Sequence, residues 1–108
     1  MLPAVAPAGA PEVIDVTVAR NGSGWRFEVT VTHGDTGWDH YADGWSIYSP
    51  DGREVGYRSL VHPHQDEQPF TRALSGVLIP PGIREVTVKA HDTVHGEGPA
   101  FTVRLPEN

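Results

Sequence analysis

An all-β chain folded as one seven-stranded antiparallel β-sandwich is what this sequence predicts. Three observations carry that expectation. Apolar and polar residues alternate with period 2 along most of the chain, and no helical stripe of period 3.6 appears. Clusters of Gly, Pro, Asn and Asp interrupt the alternation at short intervals, as turns between short strands require. The length, 108 residues, suits a single domain that builds its own core without a disulfide or a structural metal.

The elements follow in order. Ile14, Val16 and Val18 point one way and Asp15, Thr17 and Ala19 the other, giving a first strand. Asn21-Gly-Ser-Gly24 turns the chain, and Trp25, Phe27, Val29 and Val31 alternate with Arg26, Glu28, Thr30 and Thr32 to complete a hairpin. A long connection runs from His33 to Gly44. Trp45 and Ile47 open a third strand, Pro50-Asp-Gly52 is a tight turn, and Val55, Tyr57 and Ser59 form a fourth strand toward Val61. His62 to Pro69 is polar and proline-containing, hence a loop. Phe70 to Val77 is a fifth strand, Pro80-Pro-Gly82 a turn, and Val86, Val88 and Ala90 alternate with Glu85, Thr87 and Lys89 in a sixth. His91 to Pro99 is a loop, and Phe101, Val103 and Leu105 form the seventh strand. Residues 12–106 thus make the domain. Met1 to Pro11, rich in Ala and Pro, reads as a disordered extension.

Composition excludes several classes of function. There are no cysteines, so zinc–thiolate sites, thiol nucleophiles and disulfides are ruled out. Met1 is the only methionine, which leaves no thioether set for Cu(I). The net charge is −6 with no Lys/Arg cluster, which argues against nucleic-acid binding. No apolar run reaches transmembrane length, so no membrane insertion is expected. The N-terminus lacks the basic and long apolar regions of an intact signal peptide. Its Ala-Val-Ala resembles the end of a cleavage site, so a mature secreted or periplasmic domain and a plain extension of a cytoplasmic one are both open.

The spacing of strands resembles a fibronectin type III or related immunoglobulin-like domain, with strands A, B, C, C′, E, F and G. Trp45 early in strand C, the Pro80-Pro-Gly82 turn before strand F and the run Val86-Thr-Val-Lys-Ala-His-Asp92 carry the likeness over nearly the whole chain. Val86 stands where a tyrosine corner would place its tyrosine, and the cysteine pair of antibody-type domains is missing. A fold-level likeness of this kind implies no function.

That topology does imply a place for the histidines. All six lie between strands, in 33–43, 62–68 and 91–96. Alternate reversal of the strands brings the B–C, C′–E and F–G connections to one pole, while the short turns without histidine fall at the other. Imidazole is the most common metal ligand. His62 and His64 are two apart, so both rings leave one face of an extended segment. His91 and His95 are four apart and meet in a curled loop. His40 lies beside Asp39 and near Asp43. The expected metal ligands are His40, His62, His64, His91 and His95. Asp39, Asp43, Asp66, Glu67 and Asp92 are the oxygen ligands or the acceptors that orient the rings. Imidazoles with carboxylate and no thiolate suit Zn(II), Cu(II) or another borderline divalent ion. His33 continues the inward parity of Trp25 to Val31 and reads as a cap on the core. Trp38 and Tyr41 are either a recognition surface or a lid on the upper core, and Arg72 is positioned to pair with Glu67 or with another loop carboxylate.

Two classes of function remain. One is a small secreted or periplasmic domain binding a divalent transition metal at this pole. The other is a metal-free module that binds a protein or a carbohydrate through the same loops, with Trp38, Tyr41 and Gln68 as its recognition residues. A hydrolase reading fails because Ser59 and Ser75 lack a nucleophile-elbow context, so no catalytic residue is assigned. Superoxide reductase domains are also immunoglobulin-like and hold iron with histidines and one cysteine; the absence of cysteine argues against that chemistry here.

Overall fold

A strand buried on one side shows its alternation as two faces, and the chain uses that rule to build two sheets around one core. The computed structural model describes residues 10–33, 40–61 and 68–106. Among these residues there is no helix, and eight strands follow one another: β1 (Glu12–Asn21), β2 (Gly24–Thr32), β3 (Ala42–Tyr48), β4 (Glu54–Ser59), β5 (Phe70–Val77), β6 (Glu85–Asp92), β7 (Gly96–Glu97) and β8 (Phe101–Arg104). Every pairing is antiparallel. One sheet runs β1-β2-β5. The other runs β4-β3-β6, with β7 and β8 both on the far edge of β6.

The two sheets share one apolar core. Trp25, Phe27, Val29 and Val31 of β2 are buried, and so are Trp45 and Ile47 of β3 and Val86, Val88 and Ala90 of β6. Each large apolar side chain so buried contributes about 1.5–3 kcal/mol, which is why β2 and β6 keep a strict inward parity; in β3 a register shift between Ala42 and Gly44 changes it, so that Ala42 joins Trp45 and Ile47 in the core. The expected aromatic core residues are where their parity put them. Trp25, Phe27, Trp45 and Phe70 are buried, and Phe101 packs half-buried against the same cluster.

Three details differ from the sequence reading. Ile14 is exposed, and Val13 takes the inward position in its place. A register shift between Val13 and Asp15 flips the alternation there, as a β-bulge does. A short extra strand, β7, forms within 91–99, expected as a loop, ahead of the last strand. Pro99 has no N–H to give a ladder, and at Gly98 the pairing narrows to the bond from its N–H to Ala90 O, 2.8 Å. Finally, Pro11, expected in the extension, is buried. Its carbonyl lies so close to Gly98 that a Cβ there would stand 1.8 Å from the oxygen.

The registers sort the ends. Asn21↔Gly24, Trp25↔Val77 and Tyr48↔Glu54 mark one pole, with the turns at Gly22, Gly52 and Gly82, all at positive φ. Glu12↔Thr32, Val31↔Phe70 and Ala42↔Asp92 mark the other. His33, one residue past Thr32, His40, two residues ahead of Ala42, and Asp92 itself lie at this second pole.

Candidate metal centre

The centre is built on one buried carboxylate. Asp92 is the last residue of β6, and its inward parity after Val86, Val88 and Ala90 drives its side chain into the upper core. Its two oxygens have separate tasks. Oδ1 accepts the backbone N–H groups of Val94 (3.0 Å) and His95, which curls Asp92-Thr-Val-His95 into a side-chain-capped turn. Gly96, at φ 77°, completes the reversal into β7. Oδ2 faces the imidazoles: His33 Nε2 lies at 2.9 Å, His40 Nε2 at 2.8 Å and His95 Nδ1 at 2.9 Å.

Each ring is delivered by a different part of the fold. His33 follows β2 and keeps its inward parity. Its backbone N–H is held by Gln68 Oε1 at 2.9 Å, just ahead of β5. His40 enters β3, and the neighbouring Tyr41 is tied to the β6–β7 turn by Thr93 N–H to Tyr41 O at 3.1 Å and Tyr41 N–H to Thr93 Oγ1 at 3.3 Å. His95 comes from the turn that Asp92 itself caps. The His33 and His40 rings meet edge-on at 84°, their centroids 4.7 Å apart, and the His40 and His95 rings are tilted by 52° at 4.9 Å. The side chains of Asp92 and His33 are 0% exposed, against 21% for His40 and 33% for His95, so the cluster is closed toward the core and open on the side of the latter two.

Electrostatically the carboxylate is secure. Burial alone would push the Asp92 carboxyl up. The hydrogen bonds from the His95 ring and backbone, the His40 ring and the Val94 N–H outweigh that cost and hold it well below the usual carboxylate range.

The spacing of the donor atoms fits a metal ion. Two ligand atoms about 2.1 Å from one ion stand about 3.0 Å apart at a right angle and about 3.4 Å apart at the tetrahedral angle. His33 Nε2, His40 Nε2 and Asp92 Oδ2 form a triangle with edges of 3.2, 2.9 and 2.8 Å. That is about the size of one face of such a coordination shell. The hydrogen-bond accounting agrees. Oδ2 has two lone pairs and three ring nitrogens around it, more donors than it serves well, and two of those nitrogens face each other. His33 Nε2, His40 Nε2 and Asp92 Oδ2 could hold a cation at the mouth of the triangle. Among the described residues, His33, His40 and Asp92 are the group whose donor atoms converge closely enough for this.

The expected site residues therefore divide. The structure brings His40, His95 and Asp92 together. His33, read as a core cap, stands at the centre with them. Its inward parity was the available signal, since the inward side of β2 at this pole is where Asp92 points. His91, expected among the ligands, faces the other way. One residue before Asp92 on a strand, it lies on the outer face of the sheet, where its Nδ1 meets Asp43 Oδ1 at 2.5 Å. Gln68 acts through His33, as above. Arg72 donates to Thr71 O at 2.8 Å and lies over the Phe70 ring. Trp38, Asp39, His62, His64, Asp66 and Glu67 lie outside the described residues.

Comparison with known proteins adds the following. No family model matches the chain. It is 40% identical over 87 residues to a protein of Halomicrobium mukohataei whose provisional name is lipoprotein; the match takes in 80% of this chain and 42% of that protein, so the chain spans about two-fifths of its relative's length. Among solved structures it is similar to hypothetical protein PH1083 from Pyrococcus horikoshii, with a TM-score of 0.60 and 16% identity over 92% of this chain and 90% of that one. It is also similar to a superoxide reductase in the oxidized state, with a TM-score of 0.54 and 15% identity over 90% of this chain and 91% of that one. At these identities the two structures share an all-β fold with this chain, and the comparison ends there.

Proposed function

We propose that this chain is a divalent-transition-metal-binding domain of the cell envelope, with His33, His40 and Asp92 as the core of its ligand set and His95 beside it on the Asp92 carboxylate. The observation that carries the reading is the 2.8–3.2 Å triangle of His33, His40 and Asp92 donor atoms, closed toward the core and open at His40, with a third ring against the same carboxylate oxygen. Two imidazoles and a carboxylate on one face suit Fe(II) as well as Zn(II) and Cu(II). His62 and His64 are candidates to complete the shell. Their connection ends at Gln68, whose side chain is bonded to the His33 backbone.

The fold reading behind this is an immunoglobulin-like sandwich of the fibronectin type III kind, residues 12–106, after an N-terminal extension. The sheet orders β1-β2-β5 and β4-β3-β6-β8 support it, being the A-B-E and C′-C-F-G sheets of that architecture. A periplasmic or secreted location draws support from the lipoprotein name of the relative.

The test is calorimetric titration of metal-free protein with Zn(II), Cu(II) and, without oxygen, Fe(II), repeated on the His40→Ala/His95→Ala variant. One-to-one binding that the variant loses while keeping its fold is the expected result. Binding unchanged in the variant, or none in the parent chain, overturns the proposal and returns the pole to a hydrogen-bonded network that ties the loops.

A further inference from the structure

At the pole opposite the Asp92 centre, the inward parity of β1 ends on a cation. Val16 and Val18 pack against the apolar core, and Arg20 falls next on the same side of the strand. Its cross-strand partner is Trp25, which is buried at the start of β2. The guanidinium lies over the Trp25 ring, 4.9 Å from its centre. No carboxylate of the described residues pairs with it. A ring face attracts the charge but offers no lone pair, so the N–H donors of Arg20 stay available to an acceptor. Facing this pair, the β5–β6 connection and the end of the last strand complete a groove of about 540 Å³. That is within the roughly 300–1,000 Å³ of small-molecule sites. Ile79 and Ile83, packed half-buried against the core, form its apolar side with Trp25 and the buried Leu105. The Leu105 N–H donates to the carbonyl of Arg84 at 2.8 Å, and Arg84 also lines the groove. The charge here is one-sided. The chain has 14 acidic and 8 basic residues, yet the groove is lined by two arginines and no acid. An occupant that matches it has an apolar body and a negative end.

We propose that this groove binds a small organic acid. The apolar body lies among Trp25, Ile79, Ile83 and Leu105, and the carboxylate sits on the guanidinium of Arg20, with the charge of Arg84 at the same rim. Arginine suits the task because its planar fork meets both oxygens of a carboxylate, and because it stacks on an aromatic face while doing so. The site stands apart from the metal centre proposed at the other pole and does not depend on it.

The experiment titrates the full chain with phenylbutyrate and, separately, with the uncharged phenylbutyramide, while the side-chain N–H signals of Trp25 and Arg20 are followed by NMR. The expected result is a saturable shift of both signals with the acid and at least tenfold weaker binding of the amide, because a hydrogen bond to a charged group is worth about a factor of ten or more. Arg20→Gln should remove that preference, so that acid and amide bind alike. Ile83→Ala should weaken both probes. An N-acetylated tripeptide ending in a free phenylalanine carboxylate offers the same chemistry, and weaker binding than phenylbutyrate is expected of it. Tighter binding of the tripeptide overturns the free acid in favour of a chain terminus. Signals that do not move at millimolar acid overturn the site, and so does a preference for the acid that survives Arg20→Gln.

Discussion

At the scale of single residues, Asp92 decides the most. One oxygen caps a turn and the other gathers three rings, so neither can be lost alone. Asp92→Asn keeps the shape but removes the charge and replaces an acceptor oxygen with a donor amide facing donors. The expected cost in metal-free protein is about 3 kcal/mol, the low end for breaking a buried charged pair, together with loss of binding at the centre. Urea unfolding of the two chains measures the first and titration the second; equal stability would mean that the rings do not lean on the carboxylate. His33 and His91 make the matching contrast. His33→Ala should weaken binding at the Asp92 centre by more than the 10–100-fold typical of an outer partner. His91→Ala should leave that site unchanged, and paired titrations decide it. Both assignments were within reach of the sequence: Val86, Val88 and Ala90 face inward, so Asp92 does and His91 does not. Chemistry in the loop obscured the period, because His91 and His95 look like a chelating pair until the strand is extended by two residues.

At the scale of elements, the strands and tight turns were legible because each rests on local rules: alternation for β2 and β6, Asp-Gly and Pro-Gly for the turns. What was not legible is non-local. The bulge in β1 that exposes Ile14, and the short strand β7 with the close approach at Gly98 after it, depend on which backbone lies alongside. Gly98 is a sharp case. Any side chain there meets the Pro11 carbonyl, which is backbone and cannot swing away. Gly98→Ala is therefore expected to destabilise the chain by about 1–3 kcal/mol, as overpacking does, and to release Pro11. Thermal unfolding reads the first effect and proteolysis upstream of Glu12 the second. The Ser49–Arg53 turn offers a test by pH. The Ser49 hydroxyl, and after it the Arg53 N–H, hold the Asp51 carboxyl below its usual value. A depressed folded pKa stabilises above the unfolded value of about 3.9 and is lost as pH falls through the folded one. An NMR titration of the Asp51 carboxyl should show a midpoint below about 3.9 that rises in Ser49→Ala; a midpoint indifferent to Ser49 would assign the shift elsewhere.

At the scale of the molecule, the centre joins two sheets that elsewhere meet through apolar packing and a hydrogen bond from Arg58 of β4 to the Ala73 carbonyl of β5. His33 follows β2 of the three-stranded sheet, while His40 lies two residues ahead of β3, Asp92 ends β6 and His95 lies in the turn after β6, on the other side. An ion held by all of them is a staple between the sheets at one pole, so its binding energy becomes stability of the whole domain. At a free metal concentration a hundred times the dissociation constant, the gain is about 2.7 kcal/mol. In a domain of this size that raises the thermal midpoint by about 10–20 °C, at 4–8 °C per kcal/mol. The distribution of the effect is as informative as its size. Because ligands come from both sheets, metal should slow hydrogen exchange by a similar factor in the core amides of β2 and of β6, those that open only with global unfolding. Slowing confined to β3, β6 and their turn would mean that His33 is not a ligand and that the ion is held by one sheet alone.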